Sequence, residues 1–165
     1  SQPVEKIDYN KFFIVLPKNT LKEGENQIEV TFRRAYSATG SGLYRFVDPV
    51  DQKVYLYSDF EPYDAHLMFP CFDQPDLKAT YQTKVLAPKN WTVVSSTHET
   101  SIKPKGPAVE WIFPESGIFS TYIYSLHAGP YKIWNSQAKT KTQTIPLRLM
   151  ARQSLAKYVD TKMWF

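Results

Sequence analysis

Residues 53–80 read KVYLYSDFEPYDAHLMFPCFDQPDLKAT, a strand followed by a long proline-marked stretch, and this order sets the fold class. Lys53 to Phe60 alternates with period two. Tyr55, Tyr57 and Asp59 fall on one face, and Val54, Leu56, Ser58 and Phe60 on the other. Pro62 biases the backbone of Glu61 toward the extended region, so the alternation is expected to run on through Glu61. Asp59 and Glu61 would then project from one face of the strand exit, about 7 Å apart along the chain. Beyond them, Pro70 and Pro75 remove backbone donors and fix φ, which predicts a rigid, irregular support beneath the strand end.

Outward from this stretch the same grammar repeats. Lys11 to Leu16 is a short apolar strand closed by Pro17. Asn26 to Tyr36 alternates Ile28, Val30 and Phe32 against Gln27, Glu29, Thr31 and Arg33, the pattern of a half-buried strand. Turn chemistry at 37–42 and at Asp48-Pro49 with Asp51-Gln52 precedes the strand at Lys53. Further strands are expected at Ala79–Leu86, Trp91–Ser95, Val109–Phe113, Tyr122–His127, Tyr131–Asn135 and Thr144–Met150. They are separated by proline and glycine clusters at 87–90, 104–107 and 129–130. The spacing predicts an all-β fold, a curved antiparallel sheet or sandwich. Arg152 to Phe165 differs: Leu155, Tyr158, Val159 and Met163 follow a helical spacing with Ser154 as the expected N-cap. The expected organisation is therefore one all-β domain over residues 1–152, with residues 153–165 a linker or short helix leading into another domain.

Composition agrees. Ten Phe, eleven Tyr, four Trp and twelve Pro in 165 residues suit short strands joined by proline turns. A net charge of +4 comes from scattered Lys and Arg with no nucleic-acid motif, so nucleic acid is set aside as a partner. No run approaches the roughly 20 apolar residues of a membrane span, and residues 1–6 lack the apolar core of a signal peptide. Cys71 is the only cysteine, so no internal disulfide forms and a reducing, cytoplasmic compartment is favoured.

Few residue types here carry chemistry on their own. No histidine or helix N-terminus can be placed beside Cys71, which reads as a small buried hydrophobe. His66, His98 and His127 are isolated, and the closest approach to HExxH, His98-Glu99, lacks its second histidine, so no metal is expected in this segment. From spacing alone Asp59 and Glu61 allow two readings: a pair able to hold a cation, or a solvated acidic strand end.

The block from Tyr57 to Thr80 resembles the substrate-side signature of the aminopeptidase N family of zinc metallopeptidases. Ser58-Asp59-Phe60-Glu61-Pro62 stands where that family usually has T-Q-x-E-P/A. Asp64-Ala65 and Phe69 to Asp76 are similar to its D-A-R-R-x-F-P-C-x-D-E-P-D. His66 and Leu67 replace the paired arginines and Gln74 a glutamate, departures expected to loosen internal charge pairing. Weaker landmarks follow in the family's order at Gly40–Tyr44, Trp91–Ser95, Gly129–Tyr131 and Ile145–Leu149, so the similarity spans most of Asn26 to Leu155.

The resemblance implies an N-terminal domain whose Glu61 binds the free α-ammonium of a peptide and whose Asp59 lines the pocket for the first side chain. It also implies that zinc, its HExxH ligands and the general base lie in a catalytic domain of the same protein outside this segment, which alone would be inactive. The implied partners are that domain and a peptide N-terminus. Asp64, Asp73 and Asp76 read as structural supports. Members of the family occur both in the cytosol and on membranes, which leaves the compartment open. The rival from another class is a non-catalytic β module, a scaffold presenting Tyr or Trp to a protein or carbohydrate.

Overall fold

The computed structural model describes residues 8–10 and 13–165. These fall into two compact units, a first one up to Thr31 and a second from Phe32 to Phe165. In the first, β1 (Asp8–Tyr9) and β2 (Ile14–Val15) form a two-residue antiparallel ladder. The strand expected at Lys11–Leu16 includes β2, and Lys11 and Phe12 lie outside the described residues.

The second unit is all-β and antiparallel in every ladder. β3 (Gly42–Val47), β4 (Val54–Asp59), β9 (Leu126–Gly129) and β6 (Thr92–Ser95) make a four-stranded sheet in the order β3-β4-β9-β6. β5 (Thr83–Pro88), β8 (Ala108–Phe113) and β7 (Ser101–Lys105) make a three-stranded sheet in the order β5-β8-β7. β10 (Lys132–Lys139) and β11 (Thr144–Ala151) form a hairpin registered from Lys132↔Ala151 to Lys139↔Thr144. The expected all-β antiparallel class is what the chain adopts.

Burial explains why β4 is central. Leu56 and Phe60 enter the main core with Val93, Trp111, Phe113, Tyr124 and Leu126. Tyr55 on the opposite face is also fully buried, its ring 5.1 Å from that of Tyr131. The strand is thus covered on both faces until its last residue, Asp59, which is exposed. Aromatic rings fill the space beyond it: Phe60 stacks near Tyr124 at 6.3 Å, Phe69 meets Tyr124 edge-on at 5.4 Å, and Tyr81 stacks on Phe119 at 4.9 Å. Two glycines permit close approaches. A Cβ on Gly129 would lie 2.8 Å from Tyr55 Cδ1, and one on Gly42, where φ is +76°, would lie 2.9 Å from Leu67 Cβ.

Several elements depart from the sequence expectation. Residues 26–36 carry no ladder among the described residues, and Ile28, Phe32 and Tyr36 are more than half exposed. Alternation reports which way side chains face and says nothing of a hydrogen-bonding neighbour. β3 went unread because its Gly42-Leu43-Tyr44 start looked like turn material. β7 went unread because Pro104 sits inside it; in the order β5-β8-β7 this is an edge strand, where a missing donor is tolerated. The strand expected at Tyr122–His127 begins only at Leu126, since Thr121–Ile123 forms a 3-10 turn. At the C-terminus Ser154 is not an N-cap: residues 153–158 form a 3-10 helix and the Ser154 hydroxyl donates to Asp48 Oδ2 at 2.6 Å. Capping falls to Asp160, whose Oδ1 accepts from the Lys162 and Met163 N–H groups of α1 (Thr161–Trp164).

Candidate functional site

The site is the exit of β4. Asp59 is the last strand residue, paired with Gly42, and its side chain is exposed. Phe60 turns inward and is 2% exposed, which throws its neighbours outward. Glu61 is exposed at the head of a turn over residues 61–64, closed by the Asp64 N–H donating to Phe60 O at 2.8 Å. The strand therefore stops two residues short of the expected point, although the in-and-out order Asp59, Phe60, Glu61 is kept. The Glu61 N–H approaches Asp59 Oδ1 at 3.5 Å, and neither carboxylate has an ion-pair partner among the described residues.

The proline-rich stretch is fastened beneath this exit by Asp73. Its side chain is 8% exposed and accepts the His66 N–H at 2.9 Å, His66 Nδ1 at 2.8 Å and the Thr121 hydroxyl at 2.7 Å. Burial alone would raise the Asp73 pKa, but the bonds from His66 and Thr121 outweigh it and hold the carboxyl below its ordinary range. His66 thus makes with Asp73 a charge-assisted contact of the kind that the loss of the arginines was expected to weaken. Ser120 donates to Pro75 O, and the paired bonds between Ala79 and Phe119, both 3.1 Å, close the far end of the stretch. Asp73 is the structural support expected of it.

The other candidates lie elsewhere and have structural duties. Cys71 sits among the partly buried core residues, and burial pushes its thiol up to about 12, so it is not a nucleophile at neutral pH. His98 and Glu99 meet Arg148 of β11: the guanidinium donates to both Glu99 oxygens at 2.8 and 3.2 Å and lies 3.2 Å from His98 Nδ1. The fragment that comes nearest to HExxH is therefore a clasp between a loop and a hairpin. His127 is on β9 beside Tyr57, and burial pulls its pKa below the usual imidazole value. Among the described residues no three His, Cys, Asp or Glu side chains converge on a point where a metal could bind. No helix among them is long and apolar enough to cross a membrane.

Sequence reasoning missed a second polar cluster, centred on Asp48. This aspartate is 2% exposed and accepts the Val50 N–H at 2.8 Å, Arg152 Nη1 at 3.1 Å and the Ser154 hydroxyl. Its only sequence signal was Asp-Pro turn chemistry, which does not reveal partners a hundred residues away.

The second unit is thus all-β, with an aromatic core, an acidic strand exit and a proline-marked stretch fastened beneath it. The chain belongs to the peptidase M1 N-terminal domain family, whose model matches residues 2–123. It is 42% identical to an aminopeptidase N of Streptomyces lividans over 145 residues, 88% of this chain and 16% of that protein. It is 28% identical to aminopeptidase N of Bos taurus over 160 residues, 90% of this chain and 16% of the relative. A probable M1 family aminopeptidase of Encephalitozoon cuniculi is 36% identical over 118 residues, 70% of this chain and 13% of its own length. The chain thus spans only about a sixth of the length of these relatives.

Proposed function

We propose that the chain is the substrate-docking part of a zinc-dependent aminopeptidase, with Glu61 binding the free α-ammonium of a peptide and Asp59 lining the pocket for its first side chain. Residues 1–152 form the docking domain, and residues 153–165 lead into a catalytic domain that holds the zinc. By itself the segment is inactive. The observation that carries this reading is Glu61: a carboxylate without an ion-pair partner among the described residues, turned outward by the buried Phe60 and standing on a braced strand exit.

A peptide's α-amine has a pKa near 8 and is mostly protonated at neutral pH, whereas an acetylated N-terminus carries no charge. A carboxylate facing that amine in a cleft closed to water selects unblocked peptides and fixes how deeply they enter, which is the requirement for removing one residue at a time. Asp59 adds a second negative charge beside the first and favours a Lys or Arg side chain in first position. Phe72 and Tyr63, 78% and 60% exposed, supply apolar surface near this exit in sequence, of the kind a second domain would cover.

In the full-length protein Glu61→Ala raises the KM for free-amine peptides and lowers kcat/KM by the equivalent of about 2–5 kcal/mol, the cost of truncating one partner of a desolvated charge pair. Unchanged kinetics would remove Glu61 from the mechanism. Asp59→Gln narrows the preference for Lys over Leu in first position by roughly tenfold, one buried charge contact's worth of discrimination. An unaltered ratio assigns the pocket to other residues.

A further inference from the structure

Resting on that reading of Glu61, we propose that Asp48, Tyr55, Arg152 and Ser154 form a positioning latch, which fixes the passage toward the catalytic domain to the strand that carries the ammonium-binding glutamate. Residues 152–154 are tied to the β3–β4 hairpin at several separate points. Ser154 Oγ and Arg152 Nη1 both donate to the buried Asp48, and the Arg152 guanidinium also lies 4.6 Å over the Phe46 ring. The Gln153 N–H donates to Tyr55 Oη at 3.0 Å, and Tyr55 Oη in turn donates to Asp51 Oδ2 at 2.8 Å. Gln153 Nε2 reaches Pro130 O at 2.8 Å, and Lys53 Nζ donates to Gln153 Oε1.

From Tyr55 the restraint is handed along β4. Tyr131 Oη donates to Leu56 O at 3.2 Å, and the Leu126 N–H donates to Ser58 Oγ at 2.8 Å. The strand then ends at Asp59 and the turn that holds Glu61. At about 3.3 Å per residue, Tyr55 and Asp59 stand roughly 13 Å apart along a strand pinned on both faces, and Glu61 follows in the turn just beyond its end. Apolar packing could hold residues 152–154 just as firmly. A buried carboxylate held by a half-buried guanidinium and by directed hydrogen bonds instead selects a single geometry, at a desolvation cost borne chiefly by Asp48. An offset at one end of this strut becomes an offset of the carboxylate at the other, where positioning within about 1 Å decides binding.

The test uses the full-length enzyme and a free-amine peptide substrate. Ser154→Ala, Tyr55→Phe and Asp48→Asn raise KM by roughly 5- to 30-fold while kcat stays within about twofold, and Ser154→Thr, which keeps the hydroxyl, restores KM. In a Glu61→Ala background the same substitutions have no further effect on KM, because the group they position is gone. The inference is overturned if the latch variants lower the melting temperature and leave KM unchanged, or if their effects add to that of Glu61→Ala. Should Asp48→Asn fail to fold, Tyr55→Phe and Ser154→Ala decide the matter, each removing one hydroxyl only. A Glu61→Ala enzyme with unchanged KM would sink the reading of Glu61 itself, whereas a raised KM in Glu61→Ala alone would sink only the latch.

Discussion

Single side chains decide where the acidic strand exit points. Phe60, packed among Phe69 and Tyr124, is the pivot that turns its two acidic neighbours outward. Asp73 performs the complementary task from below, and its lowered pKa has a consequence for acid stability. A carboxyl whose folded pKa lies below its unfolded value of about 3.9 stabilises the fold fully above that value. That contribution is lost as pH falls through the folded pKa. Asp48 and Glu99 are lowered as well, Asp48 chiefly by the Ser154 hydroxyl and Glu99 by the Arg148 hydrogen bonds, which outweigh its burial. Asp73→Asn therefore destabilises the protein at pH 7 and flattens the acid limb of its stability below about pH 4, readable from urea midpoints across pH. An acid limb as steep as in the wild type would show that the three bonds to Asp73 carry no weight. The single-residue logic of Phe60 and Glu61 was legible in the alternation, because period two states which side chains share a face. The partners of Asp73 and Asp48 were not, since His66–Asp73 spans a 3-10 turn and Ser154–Asp48 spans most of the chain.

At the level of elements, β4 is what the sequence announced most clearly and what the fold uses most. It pairs with β3 along six residues and touches β9 at Leu56↔Ala128. That second contact is short, and Gly129 permits it. In Gly129→Ala the new methyl meets Tyr55 Cδ1 at 2.8 Å and Val54 O at 3.2 Å, both parts of a strand that cannot move aside. The expected loss is about 1–3 kcal/mol of stability, the range for overpacking a filled core, measured by denaturant unfolding. A variant as stable as the parent would mean that β9 and β4 can separate without harm. Elements without strong local patterning were harder to read. β7 hides behind Pro104, and β3 behind a glycine-rich start. The unpaired segment at 26–36 shows the opposite failure, an alternation strong enough to predict a strand where the described residues provide no ladder partner.

Over the whole molecule, the proposed latch at Asp48 would act through β4 on Glu61, and the rest of the proposed enzyme lies beyond the segment that the family model matches. The relatives are about six times longer than the segment they share with it. Phe72, Tyr158 and Trp164 are large exposed aromatic side chains of the second unit, surface of the kind that the proposed catalytic domain would cover. The proposed division of labour gives this domain the recognition of charge and leaves bond cleavage to the remainder. The most direct test compares kcat/KM for a free-amine peptide and its N-acetylated counterpart in the full-length wild type and in Glu61→Ala. Strong discrimination is expected in the wild type, collapsing by at least about 30-fold in the variant because only the free-amine substrate loses its partner. Equal discrimination in the two enzymes would contradict it.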